Sequence, residues 1–207
     1  QGGEVSVQAR IEKTAPSAAP APSLPLSALA NAVARCRDMG PNSPVHFTAA
    51  SPRVPLDASM TRFAAAQITS DMTTAQAIIA VGRALHETMR FDAAATTVDT
   101  PASEAFAKRH GVCQDFSHIM IACLRGIGIP AGYVSGYLRT QPPQGMPRLE
   151  GADAMHAWVR AWCGPNAGWL AFDPTNDRVA DQSHIIVAHG RDYADVSPIR
   201  GILPGSG

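Results

Sequence analysis

Three residues of the chain have the types that nucleophilic acyl transfer requires: Cys113, His156 and Asp173. A cysteine nucleophile needs a base within hydrogen-bond reach, and the base needs a third group to fix its tautomer and steady the imidazolium. Cys113 stands at the mouth of the stretch Gly111 to Gly128, in which Phe116, Ile119, Met120, Cys123, Leu124 and Ile127 recur at helical spacing. A thiol in the first turn of such a helix meets unpaired backbone N–H groups and the positive end of the helix dipole, and both favour thiolate over thiol. His156 opens the strand-like run His-Ala-Trp-Val-Arg-Ala-Trp, and Asp173 ends Gly-Trp-Leu-Ala-Phe-Asp, where Pro174 breaks the ladder. If the two runs form a hairpin turning near residue 165, His156 lies about nine residues before the turn and Asp173 about eight after it, which makes them cross-strand neighbours.

Supporting roles fall to four neighbours of these residues. Gly111 lets the backbone turn sharply into the helix. Asp115, in the first helical turn, is suited to satisfying backbone donors and complementing the dipole. The backbone N–H of Cys113 is a donor for an oxyanion hole, and Gln114 is a second candidate by proximity alone. Trp158 shares a strand face with His156 by period two, so it either walls the imidazole from water or is a plain core residue. His118 is turned about 140° from Cys113 around the helix and reads as a hydrogen-bonded core or surface histidine. His110, His184 and His189 have no partner that the sequence identifies. Of the four cysteines, Cys36, Cys123 and Cys163 read as buried thiols. They lack the close pairs of a zinc or C-x-x-C site, and His110, Cys113 and His118 lack ligand spacing, so no metal and no cofactor are expected.

Helices first, strands afterwards, must position these groups. Short helices are predicted over Ser27–Met39, with Ser27 as N-cap, and Asp57–Ile68. A longer one spans Thr73–Arg90, capped by Thr73 or Thr74 with Ile78, Val81, Leu85 and Met89 as its buried stripe. Another covers Ala102–Arg109, with Thr100 as cap and Pro101 at its first position. The period then changes. Tyr133–Arg139, Met155–Cys163, Gly168–Asp173 and Ile185–Ala188 are rich in β-branched and aromatic residues and predict an antiparallel sheet. Gln141–Ala154, studded with Pro and Gly, reads as a loop of the kind that borders active sites. The order makes an α+β protein with the cysteine helix packed on the sheet. Before all this, Gly3–Lys13 alternates like a half-buried strand, and Thr14–Pro25 is a proline-rich extended connector.

The gross properties agree with an ordinary globular enzyme. Across 207 residues, seventeen basic and seventeen acidic side chains cancel. No whole-molecule field exists to draw in nucleic acid or an anionic membrane. The 45% apolar and 16% charged fractions suit a folded core. No run is long and apolar enough to span a bilayer and no signal-peptide order opens the chain, which predicts a cytoplasmic protein without a membrane partner.

The motifs Thr100-Pro101, Gly111-Val112-Cys113-Gln114-Asp115-Phe116, Gly128-Ile129-Pro130-Ala131, Val134-Ser135-Gly136-Tyr137, His156-Ala157-Trp158, Gly168-Trp169, Phe172-Asp173-Pro174-Thr175-Asn176 and Gly190-Arg191-Asp192-Tyr193, taken together, resemble the bacterial branch of the transglutaminase-like superfamily. Many members of that branch are described as cysteine proteases. The resemblance covers roughly residues 100 to 200. It implies a papain/transglutaminase-like core with Cys113 as nucleophile, His156 as base then acid, Asp173 orienting His156, and acyl transfer through a thioester. In that light residues 1–13 are the remnant of an N-terminal β-rich segment, 14–25 a linker and 26–207 the catalytic domain. The expected reaction is hydrolysis of a peptide or amide bond; the alternatives are amine capture of the same thioester, or a catalytically silent binding module.

Overall fold

Local signals in the chain decide where its elements start and stop. A computed structural model describes residues 10–14, 21–139 and 154–197. Helix α1 (Leu26–Arg35) starts directly after Pro25 and has no side-chain cap, so Ser27 lies inside the helix instead of capping it. Helix α2 (Ala58–Ala65) is capped by Asp57, whose carboxylate accepts from the N–H groups of Ser59 and Met60. Helix α3 (Thr74–Thr88) opens with a capping box in which Thr73 and Gln76 satisfy each other's backbone donors. Helix α4 (Ala102–Lys108) follows Pro101 without a side-chain cap. Thr100 Oγ1 is instead turned back to accept from the N–H of Thr97. Arg109, at φ 60°, ends α4 in the left-handed region, and its guanidinium lies 3.9 Å over the Phe106 ring.

Two short strands, β1 (Arg90–Phe91) and β2 (His110–Gly111), pair in parallel and draw the chain on either side of α4 together. Immediately after β2 comes α5 (Cys113–Gly126). The main sheet follows, with β3 (Ala131–Leu138), β4 (Ala154–Trp162), β5 (Trp169–Asp173), β6 (Arg178–Val179) and β7 (His184–Gly190). Its strands lie in the order β6-β5-β4-β3-β7, every neighbouring pair antiparallel. Because β6 and β7 occupy opposite edges, residues 180–183 must cross from one edge to the other. A short helix α6 (Tyr193–Val196) ends the described chain, capped by Asp192.

The α+β architecture expected from the sequence is the one observed, with the cysteine helix on the sheet. That helix is more central than an apolar stripe implies. It packs against α2, α3 and α4 as well as β3 and β4, and every residue from Gln114 to Arg125 is buried. Polar groups carried inside in this way need partners. Ser117 donates to the Cys113 carbonyl, and His118 Nε2 accepts from the N–H of Tyr193. Burial pushes the His118 imidazole down to about 4, with the positive charges of Arg53 and Arg125 adding to the effect and Asp192 opposing it. Arg125 donates to the carbonyls of Ala131, Ala49 and Arg191 and to Ser51 Oγ, at 2.7 to 3.0 Å. It fastens the end of α5 to the start of β3 and to two loops.

Cys123 and Cys163 are buried as expected, whereas Cys36 is only partly covered, near Ser43 and Asp38. The strand expected over Gly3–Lys13 falls mostly outside the described residues, and residues 10–13 form no strand. Lys13 Nζ donates to the carbonyls of Asp181 and His184, each at 2.7 Å. The loop expected over Gln141–Ala154 likewise lies outside the described residues, save Ala154, the first residue of β4. Among the described residues no helix is long and apolar enough to cross a membrane.

Candidate active site

The register of the β4–β5 hairpin sets the first half of the site. Val159 pairs with Phe172 and Arg160 with Ala171. One more step along the ladder puts Asp173 opposite Trp158, so His156, two residues further, meets Asp173 on the diagonal of the same face. The two are cross-strand neighbours, as counting from the turn suggested, but on the diagonal rather than directly opposite. The diagonal still closes: His156 Nε2 lies 2.7 Å from Asp173 Oδ2. Trp158 is fully buried and its ring lies nearly parallel to the imidazole, with centroids 6.0 Å apart. Both alternative roles for Trp158 hold at once, a core residue that also walls the base. Room for its indole comes from Gly136 on β3, where a Cβ would stand 2.6 Å from the Trp158 ring and 2.0 Å from the Ile185 carbonyl.

The Asp173 carboxylate is completely buried, and such a charge persists only when its lone pairs are used. Oδ1 accepts from the N–H groups of Thr175 and Asn176 at 3.0 and 3.3 Å. Oδ2 accepts from His156 Nε2, from Asn176 Nδ2 at 2.7 Å and from His184 Nε2 at 3.1 Å. Burial works against the charge, but these bonds and the positive imidazole outweigh it and hold the carboxyl well below its ordinary range. His184 and Asn176 are site residues that the sequence reading did not single out. Asn176 belongs to the turn after the Asp173-Pro174 break and was quotable only as part of a motif. His184 arrives from the far edge of the sheet, so no spacing in the chain points to it.

Cys113 supplies the second half from the first turn of α5, where no intrahelical carbonyl precedes its N–H or that of Gln114. Its side chain is partly exposed. Burial alone would lower the His156 pKa; hydrogen bonding to Asp173 and to Cys113, with the negative charge of each, instead raises it to about 9. Since Nε2 is committed to Asp173, Nδ1 is the ring atom left to exchange a proton with the sulfur.

The remaining sequence candidates position the helix. Asp115 folds back to accept from the Val112 N–H at 2.8 Å and the Thr96 hydroxyl at 2.6 Å. It sits so close to Gly111 that a Cβ there would lie 2.6 Å from its carboxylate. Gly111 is therefore glycine for close approach, since its φ is not positive. Burial raises the Asp115 pKa against the pull of those two hydrogen bonds. Gln114 turns its amide to the Val98 carbonyl at 3.1 Å, fixing the segment before α4.

Among the described residues, His156, Asp173 and His184 form a group of potential metal ligands, with one atom from each lying within 4.8 Å of the others. The distances from Oδ2 to the two Nε2 atoms, 2.7 and 3.1 Å, are those of hydrogen bonds already made. The three atoms bridge protons and do not read as an ion site.

Comparison with known proteins shows the family. Curated relatives include the uncharacterized protein Rv2569c of Mycobacterium tuberculosis, 53% identical over 111 residues that make up 52% of this chain and 35% of that protein. The uncharacterized protein ML0607 of Mycobacterium leprae is 39% identical over 133 residues, 64% of this chain and 46% of its own length. The chain thus spans less than half the length of these relatives. Among solved structures, a candidate cysteine protease from Cytophaga hutchinsonii aligns with a TM-score of 0.62 at 25% identity, covering 77% of this chain and 50% of that one. The model of the transglutaminase-like superfamily matches residues 61–174, a span running from within α2 through Cys113 and His156 to the residue after Asp173, and the chain belongs to that superfamily.

Proposed function

We propose that the protein is a cysteine-dependent acyl-transfer enzyme that hydrolyses an amide or peptide bond through a thioester on Cys113. The observation that carries the reading is the His156–Asp173 hydrogen bond at 2.7 Å beside a cysteine at the mouth of α5 that is close enough to raise the His156 pKa. Cys113 gives its proton to His156 Nδ1, and Sγ attacks the substrate carbonyl carbon. The oxygen takes up negative charge before the N–H of Cys113, where one such donor typically contributes about 3 kcal/mol to the transition state. Gln114, its amide spent on Val98, fits a positioning role better than a second oxyanion donor.

Collapse of the tetrahedral adduct breaks the C–N bond, and His156 protonates the departing amine. Water then attacks the thioester while His156 takes its proton. The C–S bond breaks, the acid leaves and the thiolate is restored. Asp173 holds the ring and balances the imidazolium throughout. The substrate class is a peptide or amide, and a balanced net charge offers nothing to a polyanionic partner.

A panel of peptide amides, with released acid and transferred amine measured separately, tests the reading. Acid release abolished by Cys113→Ala, a loss on the order of 10³-fold or more, supports hydrolysis. Predominant amine transfer would replace hydrolysis by a transglutaminase reaction. Turnover unchanged in Cys113→Ala would remove Cys113 as the nucleophile, and no turnover at all from a folded protein would leave a binding module.

A further inference from the structure

Asp173 faces two imidazoles, and only one of them can serve the cysteine. His184 is buried to 1% exposure at the start of β7, the strand on the opposite edge from β6. The crossing segment 180–183 brings it beneath Asp173, where its Nε2 meets Oδ2 at 3.1 Å. An ionised carboxylate only accepts hydrogen bonds, so Nε2 carries the proton. The other ring nitrogen is fixed as well: Nδ1 lies 3.2 Å from the N–H of Asp181 and 3.2 Å from its Oδ1. The ring is further held edge-on by Trp158, with centroids 5.2 Å apart. Trp158 in turn stacks on His156. A fully buried histidine with both nitrogens engaged has no substrate to touch, and its contacts with Asp173 and Trp158 lead back to the groups that orient His156.

We propose that His184 is a positioning residue for the reaction: it locks the Asp173 carboxylate so that Oδ2 faces His156 Nε2, extending the Cys113–His156–Asp173 arrangement by one member from the far edge of the sheet. Three donors converge on Oδ2, from His156 on β4, His184 on β7 and Asn176 in the turn after β5. Without His184 the carboxylate keeps the donors of Thr175, Asn176 and His156 but loses one of the three on Oδ2, so the oxygen that faces His156 is held less firmly. Residues behind a reactive histidine typically affect activity 10- to 100-fold in well-studied metal sites, and the same order is expected here.

The catalytic part of the test rests on the proposed cysteine chemistry, so a second readout stands apart from turnover. The proton on His156 Nε2, hydrogen-bonded to a buried carboxylate, should give a far-downfield proton resonance assignable by its loss in His156→Gln. In His184→Leu the expected result is a loss or large shift of that resonance and a kcat lower by about 10- to 100-fold with KM little changed. His184→Gln, whose amide can donate to Asp173 and accept from the Asp181 N–H, should restore the resonance and most of kcat. The proposal is overturned if His184→Leu keeps both the wild-type resonance and kcat. It is overturned equally if His184→Gln folds yet lacks the resonance and loses about 10- to 100-fold in kcat, and this second measurement decides the matter should His184→Leu not fold. A wild-type protein with the resonance but no turnover would remove the cysteine-enzyme reading while leaving the His184 contact to be judged on the resonance alone.

Discussion

His156 Nε2 reaches Asp173 Oδ2 at 2.7 Å along the diagonal of the β4–β5 ladder. A diagonal contact slants the imidazole along the strand, with one nitrogen on the carboxylate and the other presented toward the neighbouring helix. It also leaves the position directly across from Asp173 to Trp158, whose ring covers the imidazole from the side. The base is thereby oriented by one residue of its hairpin and shielded by another.

The first expectation concerns pH. His156 is raised from 6.5 to about 9, so an active form containing the imidazolium should persist through neutrality and be lost as pH rises through about 9. The same shift contributes folding stability that is fully present below 6.5 and lost as the pH climbs through the folded value. Asp173 acts at the other end: its pKa is lowered, so its contribution is present above 3.8 and is lost as pH falls through the folded value. Histidine NMR titration reads the first effect directly. In Asp173→Asn the His156 midpoint should move to lower pH, and an unmoved midpoint would contradict the assignment of Asp173 as its partner.

Cysteine labelling should discriminate among the thiols. Burial pushes Cys123 up to about 12 and raises Cys163 as well, so neither offers much thiolate at neutral pH. Iodoacetamide followed by peptide mapping should find Cys113 modified first, with His156→Ala slowing that modification selectively. Labelling of Cys123 or Cys163 at a rate equal to Cys113 in the folded protein would sink the nucleophile assignment.

Arg125 is expected to matter for stability rather than chemistry. It is a buried guanidinium, lowered to about 10 by desolvation, that donates to four oxygens in β3 and two loops. Arg125→Met keeps much of the volume and leaves those acceptors unpaired, at a cost of about 3 kcal/mol or more. Urea denaturation measures this. A change below about 0.5 kcal/mol, the range of ordinary surface substitutions, would show that water replaces the lost donors.

Gly111 connects stability to the site. A methyl group there overlaps the Asp115 carboxylate, which would have to release the Val112 N–H and the Thr96 hydroxyl. Gly111→Ala should cost about 1–3 kcal/mol and lower the rate of Cys113 alkylation, because the first turn of α5 moves. Because Asp115 Cβ would itself stand 2.7 Å from the added methyl group, Gly111→Ala combined with Asp115→Gly, which removes that atom and the carboxylate together, should recover part of the stability. Thermal melts of the single and double variants check it.

Much of this was legible in residue types and spacing. The period change near residue 130, the helix stripe after Cys113 and the Asp-Pro break after Phe172 pointed to the α+β order and to the three candidate side chains. What the chain concealed were contacts that depend on sheet order. Nothing near His184 announces that β7 will lie on the far edge from β6 and carry an imidazole to Asp173. The exact offset of His156 from Asp173 likewise depends on where the Cys163–Gly168 turn closes, which pattern alone sets only to within a residue or two. The caps expected at Ser27 and Thr100 differ for a related reason: Pro25 and Pro101 stand at the N-cap positions of these helices, so the hydroxyl residues nearby were not needed as caps. Arg125 looked like an ordinary basic residue in the last helical turn, and only tertiary enclosure made it a fastener.

The two halves of the site also belong to parts of the chain that form differently. His156 and Asp173 share one hairpin, a local contact of short loop closure, whereas Cys113 reaches them only when α5 has docked between its neighbouring helices and the sheet. A nascent or partly unfolded chain can thus possess the imidazole–carboxylate pair without presenting it to the sulfur. Reactivity of the proposed nucleophile then becomes a reporter of completed folding, silent during synthesis and switched on by the last packing step.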